Sequence, residues 1–204
     1  MSTILCIDTA SSRFALAVAR EGEVVASREE DGAQDHSRLL LASIDRLLEG
    51  DRQSLNEILV VRGPGSYAGL RVGIATARGL GLALGIAVTG IGTMEAVAAA
   101  AGPGRLTVIH PAGRGDFAVQ EFDHGQAAGP LRTVPGEDLP ATGTAGEGAA
   151  ARGGWEVTPS ERCRAALGWR LGTGESADRT PVEALYLREP QITPPRRKPA
   201  AASA

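Results

Sequence analysis

At 204 residues the chain is long enough to bury a real core as one domain or two small ones, and a hydrophobic share of 43% places it among globular proteins. Aromatic residues make up 3%, so the interior has to be built from Ala, Leu, Ile and Val. A net charge of −3 excludes a global basic field, so nucleic acid would be met through a local patch or through a partner.

Residues 3–7 read as a buried strand closing on the polar turn Asp8-Thr9-Ala10-Ser11-Ser12. Residues 14–19 form a second strand and residues 24–28 a third, beyond the tight turn Glu21-Gly22-Glu23, so the chain opens as an antiparallel meander. Asp35-His36-Ser37 leads into Leu39, Leu40, Ile44, Leu47 and Leu48 at helical spacing, with Gly50 as terminator and Leu41 widening the apolar surface. Residues 58–61 are an apolar run that reads as a buried strand. Gly63-Pro64-Gly65 breaks it, because glycine reaches dihedrals closed to other residues and proline cannot extend a ladder. Ser66 stands where an N-cap belongs, a helix is predicted from Tyr67 to Leu84, and Gly85 is its stop. A strand over 86–89 and a helix over 93–101 follow.

Within the long helix Gly69, Gly73, Ala77, Gly81 and Gly85 recur every fourth residue. Each interior glycine costs about 1 kcal/mol relative to alanine, so something has to approach that backbone closely. The candidates are a second helix, the underlying sheet or a partner protein.

The order strand-strand-strand-helix-strand-helix-strand-helix predicts the α/β half-module of actin-like and ribonuclease-H-like folds. Gly102-Pro103-Gly104 marks a boundary, giving a subdomain over 1–102, a smaller one over 103–189 and a mobile tail over 190–204. Beyond that boundary, residues 106–109 and 117–122 read as a hairpin around Pro111-Ala112-Gly113-Arg114-Gly115. Residues 125–154, rich in Gly, Ala and Pro, give no assignment. A short helix containing Arg164, Leu167 and Trp169 is expected within 159–171, and 184–187 is a short ordered segment.

Asp8-Thr9 at a strand end suits a carboxylate that orients a metal beside a phosphate-facing hairpin, and it also suits ordinary turn chemistry. Gly65 and Ser66 before a helix N-terminus could present amides to an anion or simply turn the chain, and no P-loop lysine accompanies them. His36, His110 and His124 are too scattered for a metal site, and no Gly-x-Ser-x-Gly elbow is present. Cys6 and Cys163 lack metal or redox spacing, and Cys6 reads as a buried small hydrophobe. Arg196, Arg197 and Lys198 could touch RNA phosphates or serve as a solvated end. Asp8 interrupts the early apolar run and no stretch suits a membrane helix, so a cytoplasmic protein is expected.

Ile7-Asp8-Thr9, His36-Ser37, the block from Arg62 to Gly73 and Tyr186-Leu187-Arg188 together resemble the TsaB family, also called YeaZ, most fully over the first hundred residues. The resemblance implies an actin-like fold of two subdomains and a non-catalytic partner of TsaD, the transferase of tRNA threonylcarbamoyladenosine synthesis. The catalytic relative places two metal-binding histidines where this chain has Thr93 and Val97. Leu40, Ile44, Leu47, Gly69, Gly73 and Ala77 would form the docking face. Further implied are a TsaE-type ATPase engaged through the complex, a homodimer when alone, indirect contact with tRNA, and neither membrane nor DNA. No cofactor is expected within the chain, with ATP or ADP possible at the partner interface. An actin-like ATPase or kinase using Asp8, or a self-associating structural dimer, are the alternatives. Ala10, where the family usually has a hydroxyl, and Pro111-Ala112-Gly113-Arg114, where it has Asp-Ala-Arg, are departures.

Overall fold

The computed structural model describes residues 2–32, 36–140, 142–173 and 181–187, with only the backbone of His36 and Ser37. The proposed tail, with Arg196, Arg197 and Lys198, and Arg188 of the closing tripeptide lie outside the described residues.

The chain opens with β1 (Thr3–Asp8), β2 (Arg13–Arg20) and β3 (Glu23–Asp31), then α1 (His36–Leu47), β4 (Glu57–Val61), α2 (Tyr67–Leu84), β5 (Ala87–Ile91) and α3 (Thr93–Ala101). These strands form a five-stranded sheet in the order β3-β2-β1-β4-β5. β1 is antiparallel to β2 and parallel to β4, so the meander and the crossovers meet at one central strand. This is the actin-like, ribonuclease-H-like arrangement that the element order predicted.

The alternation of β1 and β2 decides the layers. Leu5, Ile7, Phe14, Leu16 and Val18 face α1 and α2, while Cys6, Ala15, Ala17 and Ala19 face the other way. That second face is paved with small side chains, so a helix can settle close to it. The helix that does so is α4 (Pro159–Thr173), through Cys163, Ala166 and Leu167. Arg170 of α4 pairs with the nearly buried Glu57 of β4 at 2.7 and 2.9 Å, and Thr89 donates to the same carboxylate at 2.7 Å.

The second sheet follows the boundary at 102 and is six-stranded: β11-β10-β6-β7-β8, with β9 also on β7. Its strands are β6 (Arg105–Gly113), β7 (Asp116–Asp123), β8 (Gln126–Ala127), β9 (Arg132–Pro135), β10 (Thr144–Gly146) and β11 (Trp155–Glu156). β6 is antiparallel to β7 and parallel to β10, so the pairing scheme of the first sheet is repeated. α3 lies between the two, giving Ala96 to the first core and Met94, Val97 and Ala98 to a core with Val108, Ala118 and Phe122. The boundary at 102 separates the sheets but not the packing. α4 returns to the first sheet, as does Val182, and the amide of Leu185 donates to the carbonyl of Arg62 at 2.7 Å. The described residues beyond 102 thus pack on both sheets.

α2 runs over the predicted span. Ser66 Oγ accepts from the amide of Gly69 at 3.2 Å, and Gly85 closes the helix in the left-handed conformation at φ 69°. β5 starts one residue later than expected and extends to Ile91, because its ladder with β4 runs from Glu57–Ala87 to Val61–Ile91.

Candidate functional site

The ridge of α2 faces inward. A methyl group on Gly73 would overlap the Thr9 hydroxyl, on Gly69 the Thr9 carbonyl oxygen and on Gly81 a methyl of Val88. Gly69, Gly73 and Ala77 are buried, as are Leu40 and Ile44, and Leu47 is half-buried against the same core. These expected docking residues are therefore interior ones. The small side chains let α2 sit on the β1–β2 turn and β5, and the leucines of α1 cover the sheet. What α1 and α2 turn outward includes Leu41, 41% exposed, and Leu82, 87% exposed, with Ala42, Ala75 and Ala83.

Where α2 meets the β1–β2 turn, a cleft of about 790 Å³ opens towards the second sheet. Its walls are Ala10-Ser11-Ser12, Pro64 to Tyr67, the β6–β7 hairpin from His110 to Arg114, Glu147 beyond β10, and Tyr186-Leu187. The hairpin turns more tightly than expected, since β6 continues to Gly113. The Tyr67 and Tyr186 rings lie 4.7 Å apart at 41°, and the Arg71 guanidinium covers Tyr67 at 5.4 Å. Two residues of the closing tripeptide thus do reach the site.

Under this cleft lies a polar network that sequence reasoning missed. Arg162 of α4 is fully buried, and its Nε donates to Asp8 Oδ2 at 2.7 Å. Its terminal nitrogens donate to Ser11 Oγ at 2.7 Å and Glu147 Oε2 at 3.3 Å, while Ser11 donates to Glu147. Burial opposes the Arg162 charge, but Asp8 and Glu147 outweigh it and hold its pKa above the usual value. Asp8 also accepts from the amide of Ala10 at 2.9 Å. The Asp8 carboxylate, expected to orient a metal, is fully buried and paired with an internal cation.

Of the other anion-site candidates, Gly65 and Ser66 are engaged within the chain. Thr9 is fully buried, and its hydroxyl has no hydrogen-bond partner. The Ser66 amide donates to the Ala10 carbonyl at 2.7 Å and the Gly69 amide to the Ser66 hydroxyl, so two amides at the start of α2 are spent. Gly65 backs directly onto Ala10. Together they seat the turn between β4 and α2.

His110 sits at the cleft floor, buried, with Nε2 3.4 Å from the Ala10 carbonyl and Nδ1 3.8 Å from Glu147 Oε2. Burial, then the charge of Arg162, lowers its pKa to about 3, so the imidazole is neutral. Cys6 and Cys163, distant in sequence, meet between β1 and α4. Burial, with the neighbouring Cys6 thiol, pushes the Cys163 thiol up, so Cys163 remains an unreactive thiol. Thr93 and Val97 are fully buried at the start of α3. Among the described residues no group of three His, Cys, Asp or Glu side chains could hold a metal ion, and no helix is long and apolar enough to cross a membrane.

The family model for TsaD, tRNA N6-adenosine threonylcarbamoyltransferase, matches residues 22–143. The tRNA threonylcarbamoyladenosine biosynthesis protein TsaB of Bacillus subtilis is 34% identical over 100 residues, covering 48% of this chain and 44% of that one. An uncharacterized protein of Mycobacterium leprae is 31% identical over 211 residues, covering 95% of this chain and 57% of that one. The chain therefore spans about half the length of these two relatives. Among solved structures, YeaZ from Pseudomonas aeruginosa shares the fold, with a TM-score of 0.73 over 92% of this chain and 100% of that one, at 24% identity.

Proposed function

The chain belongs to the TsaD family, in its TsaB/YeaZ branch, and on that footing we propose that it is the non-catalytic partner of a TsaD-type transferase that threonylcarbamoylates the tRNA adenosine beside the anticodon. The observation that carries the reading is the pairing of Asp8 with Arg162. A carboxylate that holds an internal guanidinium in a buried site is not available to a nucleotide-bound Mg²⁺, which argues against an ATPase or kinase built on Asp8. Thr93 and Val97 point the same way. Where the resemblance assigns metal-binding histidines, this chain has a buried hydroxyl and an isopropyl group packed in the core.

In this reading the docking surface is the outward side of α1 and α2 around Leu41 and Leu82, not the inward ridge. The same surface pairs two copies when the transferase is absent. The chain brings no cofactor of its own; ATP or ADP, a TsaE-type ATPase and tRNA are met through the cytoplasmic complex. Its contribution is to the conformation of the transferase, a shift of population without bond making.

The test assays the purified chain alone and with the cognate TsaD, its TsaE-type ATPase and tRNA. Transfer is expected in the complete mixture, and transfer by this chain alone overturns the reading. Leu82→Glu is expected to leave the chain folded and to abolish co-elution with TsaD. Undiminished co-elution of both Leu82→Glu and Leu41→Glu would remove the docking face from the proposal.

A further inference from the structure

The floor of the cleft holds an acceptor without a donor. Nε2 of His110 faces the Ala10 carbonyl, which can only accept, so Nε2 carries the proton and Nδ1 presents a lone pair. That Nδ1 is buried, has no hydrogen-bond partner, and lies 3.8 Å from Glu147 Oε2, a second acceptor. Glu147 is 29% exposed. Its Oε2 takes Ser11 and Arg162, while no hydrogen bond to Oε1 is formed among the described residues. Two carboxylates, Asp8 and Glu147, face one guanidinium, Arg162, and the histidine is neutral, so the floor is net negative. Three amides around the cleft, those of Ala10, Ser66 and Gly69, are spent within the chain.

We propose that the cleft is a binding site for an organic cation rich in hydrogen-bond donors, a guanidinium or primary ammonium, seated on Glu147 and His110 beside the Tyr67–Tyr186 wall. A cationic donor supplies what the orphan His110 Nδ1 lacks and pairs with the partly exposed Glu147 carboxylate, and the aromatic pair offers a face to its body. Arg114 belongs to the rim, on the exposed tip of the β6–β7 hairpin, so the head group is assigned to the floor. The site uses residues other than those of the docking face on α1 and α2, and its failure would leave the scaffold reading intact.

Isothermal titration of the full chain tests it with agmatine and, separately, with the capped tripeptide acetyl-Gly-Arg-Gly-amide. These present the same head group as a free small molecule and as a protein side chain. Saturable binding of either is expected, weakened at least tenfold in Glu147→Gln. Ala112→Trp, which fills the cleft from its rim without touching the buried network, is expected to abolish binding with the fold retained by circular dichroism. Binding of one probe and not the other identifies the source. Absence of binding by both, binding unchanged in both variants, or saturable binding of Mg²⁺ or MgATP in place of the cations overturns the proposal.

Discussion

β1 and β6 hold the same place in their sheets, each with an antiparallel neighbour on one side and a parallel one on the other. Around β1 both faces are covered, by α1 and α2 on one side and by α4 on the other, and every residue of the strand is buried. Around β6 only Val108, Ile109 and His110 are buried, and apart from the eight-residue β7 the other strands of the sheet shrink to two, three or four residues. One topology thus supports a thick unit and a thin one. The difference lies in side-chain supply, since the Leu, Ile and Val of the chain fall mostly on the first sheet and its helices. The thin sheet is held to the thick one by α3, which feeds both cores, and by Glu147, which reaches the Arg162 network.

Removing that tie is the most damaging change. Arg162→Ala leaves Asp8 buried without its cation and is expected to cost about 3–5 kcal/mol, read from the urea midpoint. Asp8→Asn with Arg162→Met should recover part of the loss. A cost under about 1 kcal/mol would mean that the pair is solvated and that the sheets are joined by α3 alone.

The next effect sharpens the contrast within the thick unit. Gly73→Ala is expected to cost about 1–3 kcal/mol, because its methyl collides with Thr9. Thr9→Ala in the same chain should return most of it, as a double-mutant cycle would show.

Acid provides a test from the thin side. His110 is neutral in the fold with a pKa of about 3, against an ordinary 6.5. The unfolded chain therefore binds an additional proton below pH 6.5. This contribution to stability is fully present above that pH and is lost as pH falls towards 3, at about 1.4 kcal/mol per unit. Between pH 7.5 and 5 the loss is about 2 kcal/mol, and His110→Gln should flatten it. An identical acid slope in that variant would place the sensitivity elsewhere.

The smallest effect is a control on the same helix. Gly79 meets open space, so Gly79→Ala should stabilise by up to about 1 kcal/mol. If it destabilises instead, the outward side of α2 is more crowded than the structure has it.

The thick unit was legible because its signals are local. Ser66 and Gly85 mark α2 through their own chemistry, and β1 and β2 are long enough for alternation to show. The direction of the glycine ridge was not legible, since periodicity says that a neighbour comes close but not which one. β8 and β11, at two residues each, are too short to display any period. Arg162 left a trace that could have been read: it shares a register with Cys163, Ala166 and Leu167, an arginine placed in the apolar stripe of a helix. Ser11 and Glu147 left none, because they reach it only in the assembled fold, 151 and 15 residues away along the chain.

The bare ridge of α2 also has a mechanical consequence. Where two elements touch through long side chains, rotamers act as springs and absorb small displacements. Gly69 puts backbone directly against the Thr9 carbonyl, with no such spring between them. A load applied to the outer side of the helix is therefore delivered undamped to the hairpin that forms one lip of the cleft, as through a rigid lever.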